Sequence, residues 1–121
     1  MKFDYYLFDL DGTLLDLGNI GDYSDQILVE TLLNLGVKKV PDKMERMELW
    51  QSGRQFQEIL KNWGISKSDN FWECYDKTDF KNRKILLRRN QISLFKDVRK
   101  VLELIYNHKD DKKLAICTNT A

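Results

Sequence analysis

Residues 3–8, Phe-Asp-Tyr-Tyr-Leu-Phe, are dense in aromatics and stop at Asp9. That pattern predicts a buried strand ending at a loop around Gly12. A second short apolar run, residues 113–118 (Lys-Leu-Ala-Ile-Cys-Thr), stops at small polar residues and predicts a second strand. A long helical stretch separates the two, so together they predict a parallel α/β core. The helix feeding the second strand is plain: Phe95, Val98, Val101, Leu102 and Ile105 fall on one face of a 3.6-residue period.

The segment between reads as helical throughout. Ser24 predicts an N-cap for a helix carrying Ile27, Leu28, Leu32 and Leu35, with Gly36 ending it. Pro41-Asp42 opens a second helix with Met44, Met47 and Trp50, which Gly53 breaks. A third carries Phe56, Ile59, Leu60 and Trp63 and closes at Gly64. Ser68 or Asp69 starts a fourth through Phe71, Trp72 and Tyr75, and a separate stretch, residues 80–89, leads back to the core. Methionines and tryptophans at this spacing are expected in the core. The organisation expected is therefore a first core strand over 1–16, a helical insertion over 17–91, and a core helix and second strand over 92–121.

Composition narrows the function. Lys plus Arg number 20 and Asp plus Glu 19, a net charge of +1, which argues against nucleic acid held by a global basic field. At 42% hydrophobic the chain can build a core, yet no apolar run approaches the ~20 residues that span a bilayer. Neither nucleic acid nor membrane is expected as a partner. The N-terminus lacks a signal-peptide pattern. Cys74 and Cys117 form no CxxC and read as reduced thiols, so a cytoplasmic location is expected.

The chemistry concentrates in Phe8-Asp9-Leu10-Asp11-Gly12-Thr13-Leu14-Leu15-Asp16. A hydrophobic strand ends and delivers two carboxylates, Asp9 and Asp11, one residue apart. Ligands of open α/β sheets bind beyond the carboxyl ends of the strands, which is where these acids fall. Two acids so close repel unless a cation neutralises them, and Mg²⁺, a hard ion seeking oxygen ligands, would do so. Gly12 permits a tight path in which backbone N–H groups face an anion, and Thr13 adds a hydroxyl.

The string FDLDGTLLD resembles motif I of the haloacid dehalogenase-like superfamily, most of whose members are phosphatases. Leu114-Ala115-Ile116-Cys117-Thr118-Asn119 resembles motif II, and the helical insertion is similar to the C1 cap of the phosphoglycolate phosphatase and β-phosphoglucomutase branch. The fold implied is α/β: part of a Rossmannoid parallel-sheet core with an inserted helical cap. The resemblance implies that Asp9 is the nucleophile and forms an aspartyl-phosphate, and that Asp11 protonates the leaving oxygen and then activates water. It implies that Mg²⁺ sits on the Asp9 carboxylate and the Asp11 carbonyl, while Gly12, Thr13, Thr118 and Asn119 join Asp9 around the phosphate. Members that dehalogenate lack the second acid, so Asp11 favours phosphoryl transfer. The expected activity is Mg²⁺-dependent hydrolysis of a small phosphorylated metabolite. The alternatives are a phosphomutase of the same superfamily or a non-catalytic binding module.

The superfamily also uses a motif III cation and a motif IV acidic pair, both after motif II, whereas this sequence stops at Ala121. The expectation is an N-terminal piece of a larger protein, a poor catalyst by itself, with a bare sheet edge inviting self-association or a partner. Elsewhere, Arg54 lies at a helix–Gly–helix joint where the branch has a substrate-selecting cap loop; it is a candidate for a substrate carboxylate or distal phosphate. Lys81, Arg83, Lys84, Arg88 and Arg89 read as a solvated helix face, Lys112 and Lys113 as a solvated turn, His108 as a helix-end cation, and Cys117 as a small buried core residue.

Overall fold

The computed structural model describes residues 3–108 and 113–118. The chain is mixed α/β and divides into two compact units. One is formed by residues 1–20 with 85–121, and the other by residues 21–84.

In the α/β unit, β1 (Tyr5–Phe8) pairs in parallel with β4 (Lys113–Ile116), Tyr5 opposite Lys113 and Phe8 opposite Ile116. The ladder continues at both ends, with Lys113 N donating to Asp4 O at 3.0 Å and Cys117 N to Phe8 O at 2.8 Å. Two short strands were not foreseen: β2 (Leu15–Asp16) and β3 (Ser93–Leu94) pair antiparallel, Leu15 opposite Leu94. Helix α5 (Val98–Asn107) leads toward β4 and buries Val98 and Ile105. Phe95 lies before the helix, and both it and Val101 are more exposed than their place in the apolar period predicted.

The expectation of a buried first strand is corrected. Phe3, Tyr5 and Leu7 are 65%, 67% and 72% exposed, whereas Tyr6 and Phe8 are half-buried. Successive strand residues point to opposite faces, and only the Tyr6–Phe8 face is covered. Phe8 lines one cavity with Val98, Val101 and Leu102 of α5. Cys117 is likewise exposed, not a core residue. Lys113 belongs to β4 and not to a turn, and its ammonium lies 5.7 Å from the Tyr5 ring centroid. Lys112 falls outside the described residues.

The helical unit is built on α1 (Ile20–Asn34), α2 (Lys43–Gln51), α3 (Phe56–Asn62) and α4 (Ser68–Arg88). Helix α1 starts four residues before Ser24, so Ser24 is an interior residue and not the cap. Its C-terminus does follow the glycine: Gly36 takes φ +77°, and Val37 N reaches back to Leu32 O at 3.0 Å. That bond satisfies a carbonyl the last turn leaves open. Asp42 caps α2 reciprocally, accepting from Glu45 N while Glu45 accepts from Asp42 N.

Leu28, Leu32, Leu49, Leu60, Ile65 and Phe71 form the core of this unit. Each such side chain contributes about 1.5–3 kcal/mol when fully buried, so this cluster is what holds the helices together. Met44, Met47 and Trp50 are not in it: they are 79%, 49% and 44% exposed, because α2 turns Leu49 alone of its residues fully inward. Trp50 instead packs its ring at 5.6 Å from Tyr75 and 6.4 Å from Trp72. The fourth helix and the separate 80–89 stretch are one 21-residue helix, α4. No proline or glycine interrupts 68–88, so nothing in the backbone stops it at Phe80. Among the described residues no helix is long and apolar enough to cross a membrane.

Candidate active site at the end of β1

Strand β1 delivers Asp9 into a tight turn organised around one carbonyl. Leu10 O accepts from Leu15 N at 2.9 Å, Leu14 N at 3.0 Å and Thr13 N at 3.4 Å. Gly12 N donates to Leu15 O at 2.9 Å. Gly12 holds φ +73°, a conformation that costs an L-residue roughly 1–2 kcal/mol, which explains glycine at this point. Its N–H is engaged within the turn, and its left-handed backbone shapes the path there.

Leu14 is buried and anchors the turn, and its carbonyl accepts from Phe95 N at 3.1 Å. The loop is thereby tied to the chain returning from the helical unit. Asp9 and Thr13 are exposed and Asp11 is half-buried. Thr13 Oγ1 donates to Asp9 Oδ2 at 3.4 Å, a long bond that keeps the hydroxyl beside the carboxylate.

The partner strand ends at the same level. Because Phe8 faces Ile116 and Cys117 N bonds to Phe8 O, Asp9 and Thr118 both follow the carboxyl ends of adjacent parallel strands. Thr118 is exposed there, and Asn119 lies outside the described residues. Ligands of open α/β sheets bind outside the carboxyl ends of the strands.

The two carboxylates present oxygen donors only, the donor type Mg²⁺ takes. That ion commonly uses one or two protein carboxylates and fills its remaining positions with water and phosphate. Among the described residues no group of three His, Cys, Asp or Glu side chains converges. The set therefore fits a partly hydrated hard cation and does not fit a closed structural site such as that of zinc.

In the helical unit, Arg54 lies in a 3₁₀ turn (Gly53–Gln55) between α2 and α3 and is exposed. Two charged assemblies there escaped sequence reasoning. Arg46 grips Asp25 with two bonds of 2.7 Å and donates to Pro41 O at 2.6 Å. The Asp25 carboxyl is held below its ordinary value chiefly by the hydrogen bond from Arg46. On α4, buried Asp79 accepts from Tyr23 Oη at 2.5 Å and from Arg83 Nε at 2.8 and 2.9 Å. Burial, then that hydrogen bond, pushes the Tyr23 hydroxyl upward; burial also raises Tyr75 to about 12. Arg83 is thus not part of a solvated basic face, although the i,i+4 spacing of Asp79 and Arg83 was a readable signal. Lys84 lies over the Phe80 ring, and His108 is the exposed C-terminal cap of α5.

The sequence pattern of the haloacid dehalogenase-like hydrolases matches residues 6–121. No curated protein and no solved structure matches the chain significantly.

Proposed function

The chain belongs to the haloacid dehalogenase-like hydrolases, and from that premise we propose that it hydrolyses a small phosphomonoester through an aspartyl-phosphate on Asp9. The observation that carries this reading is the placement of Asp9 at the end of β1, beside the end of β4, with the Thr13 hydroxyl 3.4 Å from its carboxylate. A carboxylate oxygen of Asp9 attacks phosphorus, and the bond from phosphorus to the leaving oxygen breaks. Asp11 gives that oxygen its proton. In the second half Asp11 takes a proton from water, the water oxygen attacks phosphorus, and the bond to Asp9 breaks, releasing inorganic phosphate. Thr13 and Thr118 supply hydroxyl donors to the phosphoryl oxygens.

Asp9 and the Asp11 carbonyl would hold Mg²⁺, which supplies charge neutralisation at the phosphoryl oxygens when bound. The helical unit is read as a C1-type cap of the phosphoglycolate phosphatase branch, with Arg54 reading the substrate end that does not react. Asp11 favours phosphoryl transfer over dehalogenation, because an alkoxide leaving group needs a proton and a halide does not.

The test is chemical trapping. With the full chain and an aryl phosphate, acid quenching followed by reductive labelling of the acyl phosphate should mark Asp9. Asp9→Asn should abolish both label and turnover, a loss of several kcal/mol out of the ~8–23 kcal/mol that enzymes supply. A label on Thr13 or Cys117, or wild-type turnover in Asp9→Asn, would overturn the assignment.

A further inference from the structure

Gly12 differs from the other described glycines at positive φ. Around Gly18, Gly36, Gly53 and Gly64 the space a Cβ would enter is open to 4 Å. At Gly12 that space is taken: a Cβ would stand 2.5 Å from Ile20 Cδ1 and 3.9 Å from Ile20 Cγ1. A Cβ at Gly12 would meet both a strained φ of +73° and the tip of the Ile20 side chain, which would have to turn aside.

The chain is shaped to bring that tip back. After β2, Asp16 Oδ1 accepts from Gly18 N at 2.8 Å, a side-chain turn that reverses the path. Two residues later Ile20 opens α1, still within the α/β unit. A β-branched residue in a helix has one strongly preferred χ1, which aims the Ile20 side chain, while its δ-methyl still turns about χ2. A leucine or methionine would reach as far with a looser aim.

We propose that Ile20 is a positioning residue for the Asp9–Asp11 chemistry. Its δ-methyl seats on Gly12 and braces turn 10–15 in the form that presents Asp9, Asp11 and Thr13 together. This rests on the phosphohydrolase reading of that site. Ile20 touches no reacting atom; it acts through the backbone of the turn. Ile20 is 37% exposed, so shortening it leaves the core of either unit unaltered.

The experiment is hydrogen exchange across residues 8–16 of the full chain, with kcat and KM for an aryl phosphate measured in parallel. The variants are Ile20→Val, Ile20→Ala and Ile20→Leu. Ile20→Val removes only the methyl that touches Gly12 and should speed exchange in the turn about fourfold, the worth of one buried methylene. Ile20→Ala should speed it further, and Ile20→Leu, which restores the reach, should return it toward wild type. Exchange in α2 and α3 should not change. Turnover should follow the same order through kcat, with KM constant. Unaltered exchange in Ile20→Ala, or an equal rise throughout both units, would overturn the brace. An acyl-phosphate label trapped on a residue other than Asp9 would instead overturn the hydrolase reading, and the exchange data would then decide whether Ile20 braces the turn.

Discussion

Arg54 and Arg46 are eight positions apart and have opposite fates. Arg46 commits three of its five N–H donors to Asp25 and the Pro41 carbonyl, which fixes its guanidinium inside the helical unit. Arg54 is exposed on a 3₁₀ turn, and its planar guanidinium is of the kind that pairs with carboxylate or phosphate. If it reads the remote end of the substrate, Arg54→Ala should raise KM, or lower kcat/KM, for the true substrate by tenfold or more, about 1.4 kcal/mol. A plain aryl phosphate lacks that remote group, so its kinetics should barely move. Parallel kinetics on both substrates checks this, and equal losses would remove Arg54 from substrate selection. At the same scale, the turn at Gly12 was readable directly, because an Asp-Gly-Thr string after an apolar strand constrains the backbone. Ile20 was not readable, because its contact with Gly12 depends on the turn at Asp16 and Gly18.

Among elements, the join between α1 and α2 offers a pH handle. The hydrogen bond from Arg46 holds the Asp25 carboxyl below its ordinary 3.8. A carboxyl whose folded pKa lies below its unfolded value contributes stability above the unfolded value. That contribution is lost as pH falls through the folded one. The α1–α2 join should therefore be intact at neutral pH and weaken as pH drops below about 4. Asp76 on α4 has the opposite sign: burial, with Asp79 nearby, raises its carboxyl. Its contribution is present at low pH and is lost as pH rises through the folded value, so it partly offsets Asp25 in acid. Thermal melts of wild type and Asp25→Asn from pH 7 to pH 3 should show the variant less stable at neutral pH and the gap closing in acid. A gap independent of pH would assign Asp25 a packing role only. The helices themselves were legible where punctuation is strong, at Asp42, Gly36 and Gly64. They were misread where pattern had to stand for tertiary contact. Ser24 resembled a cap, yet the helix had already begun, and Met44, Met47 and Trp50 share a period with Leu49's neighbours but not its burial. Residues 80–89 looked separate because Phe80 and the basic residues break the apolar face, whereas the Asp79–Arg83–Tyr23 assembly carries α4 straight through.

For the whole molecule the unresolved demand is on the sheet. A parallel pair is ordinarily covered on both faces, since its connections place helices there. Here Tyr5 and Leu7 of β1, and Phe3 just before it, are each more than three-fifths exposed, and β4 adds an exposed Ile116 at the strand end. Parallel strands also leave unpaired N–H and C=O groups along an open edge, a template for another chain. Burying three such side chains would contribute several kcal/mol at about 25 cal/mol per Å², enough to drive association unless another segment covers them first. The chain in solution should therefore show an apparent mass that rises with concentration in light scattering. Leu7→Lys places a charge at the centre of that face while keeping the backbone ladder to β4. It should shift the population to monomer and leave the far-ultraviolet helical signal of residues 21–84 unchanged. A wild-type chain that stays monomeric across the whole concentration range would mean that the exposed face is tolerated without association.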